Sequence, residues 1–304
     1  EKLPFITLSL VFGLIALDAQ NSAQAIPDVI PYTTQQRMLF PFYGLFFYLA
    51  KAFLPIGLSH YYPYPDVNNA TLPVVYPFSC IIVIILIVLS YWSCKKTRDI
   101  VFGMLFFLFS LIPVLQVMPV GKAITADRYT YISYLGIFFI VARFVDMKFI
   151  KPLPNLSNKS FKVYFFIGLI IILLTFTCFH RVKVWENSET LWTDFVSKYP
   201  ELTIGYNSRA HYYAVELGNY DLAIKDYSTA IKIDPTYGEA YKNRALTYEL
   251  SEKYNLALKD LDLLIFNVPG ERSLYKHRGR IYEKKGQPKL AQKNYDKAMS
   301  IKTN

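Results

Sequence analysis

Acid is scarce in the first 180 residues of this 304-residue chain. Only Glu1, Asp18, Asp28, Asp66, Asp99, Asp127 and Asp146 occur there. Carboxylates are plentiful only after residue 180, where they alternate with lysines as on a solvated face, and no pair among them stands out as general acid and base. Cysteine is equally sparse. Cys80, Cys94 and Cys178 lie in or beside apolar runs and form no CxxC, which excludes a secreted disulfide framework. The four histidines, His60, His180, His211 and His277, are scattered without an HExxH, so no metal centre is expected. There is no GxSxG nucleophile turn and no phosphate-cradling glycine loop. No cofactor is expected.

Apolar residues are abundant instead: the chain is 53% hydrophobic and 17% aromatic. Residues 1–180 carry long apolar runs, whereas residues 181–304 are charged, mixed in sign and helical in pattern. A membrane half of about five or six spans is therefore expected before a soluble half. The runs are Leu3–Leu17 (short for a span), Met38–Leu58, Pro73–Cys94, Ile100–Val117, Tyr129–Val145 and Phe161–Cys178. The net charge of +10 does not point to nucleic acid. Much of the basic surplus lies in loops between apolar runs, where it reports topology. Lys95-Lys96-Thr97-Arg98 and the stretch from Arg143 to Lys162 are both basic, so both are expected in the cytoplasm. The Asp127 loop between them, the Tyr61 loop before them and the soluble half after the last run then fall outside it. Whether the first two runs both cross is left open by the charges. The first run lacks the flanks of a cleavable signal peptide, and a longer protein is expected to precede Glu1.

The soluble half repeats. Ala223, Ala257 and Ala291 are spaced by 34 residues, as are Tyr227, Leu261 and Tyr295, then Ala230, Leu264 and Ala298. Pro235 and Pro269 keep the same interval. Ala245 and Gly279 mark the small position of a preceding helix, with Tyr248 and Tyr282 behind them; Ala210 and Tyr213 are their counterparts in the first repeat. A 34-residue helix–turn–helix period with small residues at the helix crossing resembles the tetratricopeptide pattern. The expected fold is therefore all-α: a polytopic membrane helix bundle over 1–180, then a tetratricopeptide-repeat α-solenoid over 181–304. Within the solenoid, a half repeat at 185–200 precedes repeats at 203–237, 238–271 and 272–304. The half repeat, with Ser188, Trp192, Phe195 and Pro200, is expected to cap the stack.

Candidate binding residues cluster in the stretch from Met118 to Tyr131. Asp127 and Arg128 stand side by side at the mouth of an apolar run, followed by Tyr129 and Tyr131. Lys122 and Arg128 suit a phosphate at the membrane surface, with Asp127 orienting Arg128. The plainer alternatives are a helix N-cap by Asp127, an Asp127–Arg128 pair and an interfacial tyrosine belt. Lys51, inside an apolar run, is either a further substrate-binding residue or a snorkelling lysine. In the repeats, Lys242, Lys276 and Arg280 are candidates to line a groove for an acidic peptide, against the alternative of ordinary surface cations.

The segment Ala126-Asp127-Arg128-Tyr129-Thr130-Tyr131 after Pro119-Val120-Gly121 resembles that of the transmembrane and tetratricopeptide repeat proteins. So do Leu58-Ser59, Tyr62-Pro63-Tyr64-Pro65 and Trp185-Glu186-Asn187-Ser188. The resemblance implies a membrane protein related to C-type glycosyltransferases, which use a polyprenyl-phosphate sugar donor, with repeats outside the cytoplasm that hold an acceptor or partner protein. It also implies that the acidic catalytic loop belongs upstream of Glu1, so catalytic residues are not assigned in this chain. A non-enzymatic membrane-anchored scaffold for envelope proteins is the alternative.

Overall fold

The computed structural model of the chain describes residues 11, 15, 32–65, 72–93, 97–116, 123–150 and 158–301. The chain divides into two compact units, Glu1–Ile172 and Leu173–Asn304. Both are built from helices, with one two-stranded ribbon in the first.

In the first unit, α1 (Thr34–Phe53) opens on a reciprocal cap between Thr33 and Gln36. Its buried residues Phe40, Gly44 and Tyr48 recur every fourth position and form a single stripe. The sequence leads one to expect this helix to run on to Leu58. It ends at Phe53 instead, where Leu54 N–H closes on Ala50 O, and Pro55 and Gly57 (φ 61°) turn the chain back. The returning strand β1 (Tyr62–Pro63) pairs antiparallel with β2 (Ala123–Thr125), Tyr62 opposite Thr125. α2 (Val75–Ser93) is apolar on every face and buries only Tyr76, Ser79 and Val83. α3 (Asp99–Leu111) runs into a short 3-10 turn, Ile112–Val114, and packs along α4 (Thr130–Val145). Gly103 and Gly136 let these two backbones touch: a Cβ on Gly103 would sit 2.5 Å from the Gly136 carbonyl. One turn before Gly103, at the start of α3, Asp99 Oδ2 meets Arg143 Nε at 2.8 Å.

Among the described residues two helices are long and apolar enough to cross a membrane: α2, and Phe161–Val184 within α5 (Asn158–Val184). The expected bundle of five or six spans is thus represented by two such helices. α3 is stopped by Pro113 in its terminal turn, and α4, at 16 residues, is about 24 Å long, short of the ~30 Å hydrocarbon core. All of the expected Leu3–Leu17 run except Val11 and Ile15 lies outside the described residues.

The second unit stacks α6 (Ser188–Lys198), α7 (Thr203–Val215), α8 (Tyr220–Ile233), α9 (Gly238–Leu250), α10 (Tyr254–Asn267), α11 (Arg272–Lys284) and α12 (Pro288–Ser300). Asn187 caps α6, with Thr190 reaching back to it. The small residues lie at the crossings. Ala210 and Ala223 are buried between α7 and α8, and Ala245 and Ala257 between α9 and α10. At the third crossing a Cβ on Gly279 would meet the Tyr295 ring at 2.7 Å. Each repeat turns through a left-handed residue between its two helices: Gly218 (φ 62°), Glu252 (φ 58°) and Gly286 (φ 69°), 34 apart. Glu252 adopts there a conformation that suits glycine.

This register generates a paired expectation for the repeat half, residues 181–304, expressed as a soluble fragment. Glu252→Gly relieves the left-handed strain and raises stability by about 1 kcal/mol. Ala257→Trp overfills a crossing that has no free volume and lowers stability by about 1–3 kcal/mol. Urea titration followed by circular dichroism checks both. A destabilised Glu252→Gly or a neutral Ala257→Trp contradicts the packing described.

Candidate functional site

The Asp127 loop is built by tyrosines from other segments. The Tyr62 hydroxyl, brought over by the β1–β2 pairing, donates to Asp127 Oδ1 at 2.9 Å and accepts Ser59 N–H at 2.7 Å. The Tyr48 hydroxyl accepts Ala126 N–H at 3.1 Å, and the Tyr134 hydroxyl donates to Tyr48 O at 2.8 Å. Thr130 Oγ1 donates to Asp127 O at 2.7 Å and completes the 3-10 turn Asp127–Tyr129 that leads into α4.

The structure revises the roles expected of these residues. The Asp127 side chain caps neither the 3-10 turn nor α4. Nor does it pair with Arg128, whose Nη2 reaches its own neighbour, Tyr129 Oη, at 3.2 Å, with the guanidinium 5.0 Å from that ring. Arg128 is exposed and makes no ion pair among the described residues. Tyr131 is 76% exposed. Lys51 turns its ammonium to Ile56 O and lies 5.4 Å and 5.9 Å from the rings of Phe47 and Tyr62. Lys51 and Asp127 therefore meet at one residue, Tyr62, while Arg128 lies against Tyr129. Lys122 lies outside the described residues. Tyr48, Tyr62 and Tyr134 were not singled out from sequence as fastening groups. A tyrosine beside an apolar run reads as an interfacial residue whether or not its hydroxyl has a partner.

In the repeats, charge is organised by an arginine ladder. Arg209 grips Asp226 through Nε and Nη2 at 2.7 and 3.0 Å, and Arg244 grips Asp260 at 2.8 and 2.8 Å. Arg278 holds Asn294 at 2.8 Å in the same position. Each arginine also reaches back to the preceding repeat, to Thr193 (3.2 Å), Ser228 (2.9 Å) and Asp262 (2.6 Å) respectively. Each further lies against the ring of a tyrosine one turn before it, Tyr206, Tyr241 or Tyr275. The Asp226 hydrogen bond, ahead of the opposing effect of burial, raises the pKa of Arg209, so the clip stays ionised. Its signal was present in the sequence as Arg209, Arg244 and Arg278 at helical-repeat spacing.

The groove cations are largely engaged. Arg280 takes both oxygens of buried Glu249, at 2.9 and 2.7 Å, and Lys284 and His277 reach the same carboxylate at 2.9 and 2.8 Å. Lys242 pairs with Glu271 at 3.2 Å, and Lys276 is exposed. Burial alone would raise the Glu249 carboxyl. The hydrogen bonds from Arg280 and Lys284 outweigh it and hold the group at about 2. Burial, with Arg280 nearby, lowers His277 despite Glu249, so its ring is neutral near pH 7 and donates through Nε2.

A polar cleft of about 260 Å³ opens between α6 and α7, lined by Ser188, Trp192, Asn207, Ser208, His211 and neighbours. Asn207 Oδ1 accepts Asn243 Nδ2 at 3.2 Å, which leaves the Asn207 amide nitrogen without a partner among the described residues. The cleft offers amide and hydroxyl groups beside an indole wall, a surface that suits a peptide backbone. Among the described residues no group of three or more His, Cys, Asp or Glu is arranged to hold a metal.

The Glu249 cluster sets a pH dependence. A carboxyl depressed from 4.5 to about 2 in the folded chain contributes stability that is complete above about 4.5 and lost as pH falls toward about 2. Glu249→Gln is expected to flatten that part of the stability–pH curve, measured by urea titration at fixed ionic strength. An unchanged acid limb contradicts the assignment.

Comparison with known proteins accords with the repeat reading. Residues 214–251 match the family model described as TPR repeat, and residues 273–304 match the one described as tetratricopeptide repeat. No curated protein matches the chain. Among solved structures it is similar to two of MamA, at 20% and 21% identity, each with a TM-score of 0.35. These similarities cover 55% of this chain and 87% and 78% of those. It is similar also to the APC/C hetero-tetramer Cut9–Hcn1, at 13% identity, TM-score 0.34, over 72% of this chain and 43% of that one. The second half of the chain carries tetratricopeptide repeats.

Proposed function

We propose that the chain is a membrane-anchored tetratricopeptide protein whose repeats bind a protein segment outside the cytoplasm. The observation that carries the binding function is the cleft beside Trp192, with the Asn207 amide nitrogen left for a partner. Tetratricopeptide arrays bury their small residues between helices and leave such faces for peptides. α2 and α5 support the anchor, because their apolar side chains are almost entirely unburied by the protein itself. The two basic stretches, around Lys96 and from Arg143 to Lys162, support the sidedness. Arg280 and Lys242 have internal carboxylates, so recognition of an acidic peptide by the Lys242, Lys276 and Arg280 surface would have to displace them.

In cells, a photo-crosslinking residue at Ser208, inside the cleft, is expected to capture a discrete protein, and the same residue at Lys225 on α8 is not. Trp192→Ala with Asn207→Ala should abolish the Ser208 adduct. Equal capture at both positions contradicts the cleft as the binding face.

A second reading is favoured by one observation: the Arg128 guanidinium is exposed, makes no ion pair among the described residues, and is held at the head of α4 by a loop anchored through Tyr62 and Tyr48. In that reading the chain is part of a transmembrane and tetratricopeptide repeat protein related to C-type glycosyltransferases. Arg128, flanked by Tyr129 and Tyr131, then contacts the phosphate of a polyprenyl-phosphate sugar while the repeats present the acceptor. Asp127 acts by fixing the loop, and Lys51 is committed to its own turn. Arg128→Lys, which keeps charge but loses the planar fork, is expected to weaken binding of purified polyprenyl phosphate about tenfold, and Arg128→Ala up to about a hundredfold. Melting of the detergent-solubilised chain should be unchanged. Undiminished binding by Arg128→Ala ends this reading.

A further inference from the structure

The segment from Tyr32 to Pro65 leaves from where it started. The Tyr32 hydroxyl donates to Pro65 O at 2.9 Å, so its two ends are fastened together. Between them, contacts run in strict antiparallel order. Phe40 packs on Tyr64 at 5.5 Å between ring centroids, Phe47 on Tyr62 at 4.6 Å, and Lys51 closes on Ile56 O at the bottom. α1 descends and an extended strand climbs back beside it. Twelve residues of extended chain reach ~40 Å, enough to retrace a 20-residue helix of ~30 Å.

The descent runs alongside α2. Tyr43 stacks on Tyr76 at 4.3 Å near the start of α2, and Leu49 and Phe53 line one apolar groove with Leu86 and Leu89 further along it. Leu86 lies ten residues past Tyr76, or ~15 Å deeper along the helix. The same groove takes in Ser90 and Ser93, so the turn of the segment is level with the second half of an apolar helix long enough to span a bilayer. At that turn Phe53, Leu54 and Ile56 are 59%, 64% and 72% exposed.

Part of the backbone of the turn is satisfied from within. Leu54 N–H donates to Ala50 O and Ile56 N–H to Leu54 O, both at 2.8 Å, and Pro55 has no N–H. Ile56 O takes the Lys51 ammonium, Gly57 O lies 3.3 Å from the Tyr62 hydroxyl, and Ser59 N–H donates to that same hydroxyl at 2.7 Å.

We propose that residues 32–65 form a re-entrant element: α1 enters the bilayer beside α2, turns at Phe53–Ile56 in the hydrocarbon, and returns to the same face. Its partner is the acyl-chain layer of one leaflet. Lys51 acts inside the element as the donor that closes the turn. The inference rests on the membrane reading of α2 given above. It has the second apolar run, whose crossing the loop charges left open, enter the bilayer without crossing it.

The test uses the full chain in sealed vesicles, with native cysteines replaced by serine and single cysteines introduced by Gln35→Cys, Ile56→Cys, Val74→Cys and Trp92→Cys. A membrane-impermeant maleimide should label Gln35→Cys and Val74→Cys from the same face, and Trp92→Cys only from the other. Ile56→Cys should be protected from both faces until detergent is added. A bimane fluorophore at Ile56→Cys should then be quenched by nitroxide-labelled phosphatidylcholine. Gln35→Cys and Val74→Cys on opposite faces would overturn the re-entrant path while leaving α2 as a span. Labelling of Ile56→Cys in intact vesicles, or no quenching by the nitroxide lipid, would overturn the lipid-facing turn. Val74→Cys and Trp92→Cys on one face would instead refute the membrane reading itself, so the two failures are distinguishable.

Discussion

Apolar surface has to leave water, and the helices of this chain divide according to what they leave it for. In the second unit the answer is the next helix. Ala210, Ala223, Ala245 and Ala257 are fully buried because small side chains let paired helices close on one another. In the first unit the same requirement is met only in part. Ile81, Ile84, Ile85 and Val88 on α2 stay exposed, and so does the whole apolar face of α5. Helices so apolar and so little covered by protein are what the proposed membrane anchor rests on. The remaining features follow from this division. The repeats need their charges to set register, and the first half needs its few polar groups to close on one another.

Each half meets that second need with a small set of hydroxyls or guanidinium groups that serve two partners at once. Tyr62 joins the returning strand, Ser59 and Asp127 through one oxygen. Arg209, Arg244 and Arg278 each span two helices from different repeats. A half-buried arginine held by both carboxylate oxygens fixes position more than it adds net stability. The ladder therefore accounts better for the constant register of the stack than for its strength, which comes from the buried crossings.

Much of this architecture is written in the sequence as period. The 34-residue interval puts Ala223, Ala257 and Ala291 at equivalent crossings, because a packed interface tolerates only small residues there. What escapes such reading is pairing across distance. A tyrosine in an apolar run looks the same whether its hydroxyl is bonded to a chain segment 65 residues away or to water, so the Tyr62–Asp127 bond was not legible. The run Met38–Leu58 reads as a span because hydropathy records composition and not direction. Pro55 and Gly57 were the signal that the chain turns. Arg280 and Lys242 read as groove cations, and their carboxylates lie 31 and 29 residues away on neighbouring helices. Charge alternation along one helix cannot reveal a partner contributed by the next.

We propose that one chain uses two solvents: lipid for its first half, water for its second. Limited proteolysis of the full chain in sealed, oriented vesicles tests it most directly. Protease added at the face opposite the cytoplasm should release a soluble, helical fragment beginning near Asn187, while the first half stays in the membrane after alkaline carbonate washing. Release of the intact chain by carbonate, or cleavage of the repeats only from the cytoplasmic face, would contradict the account.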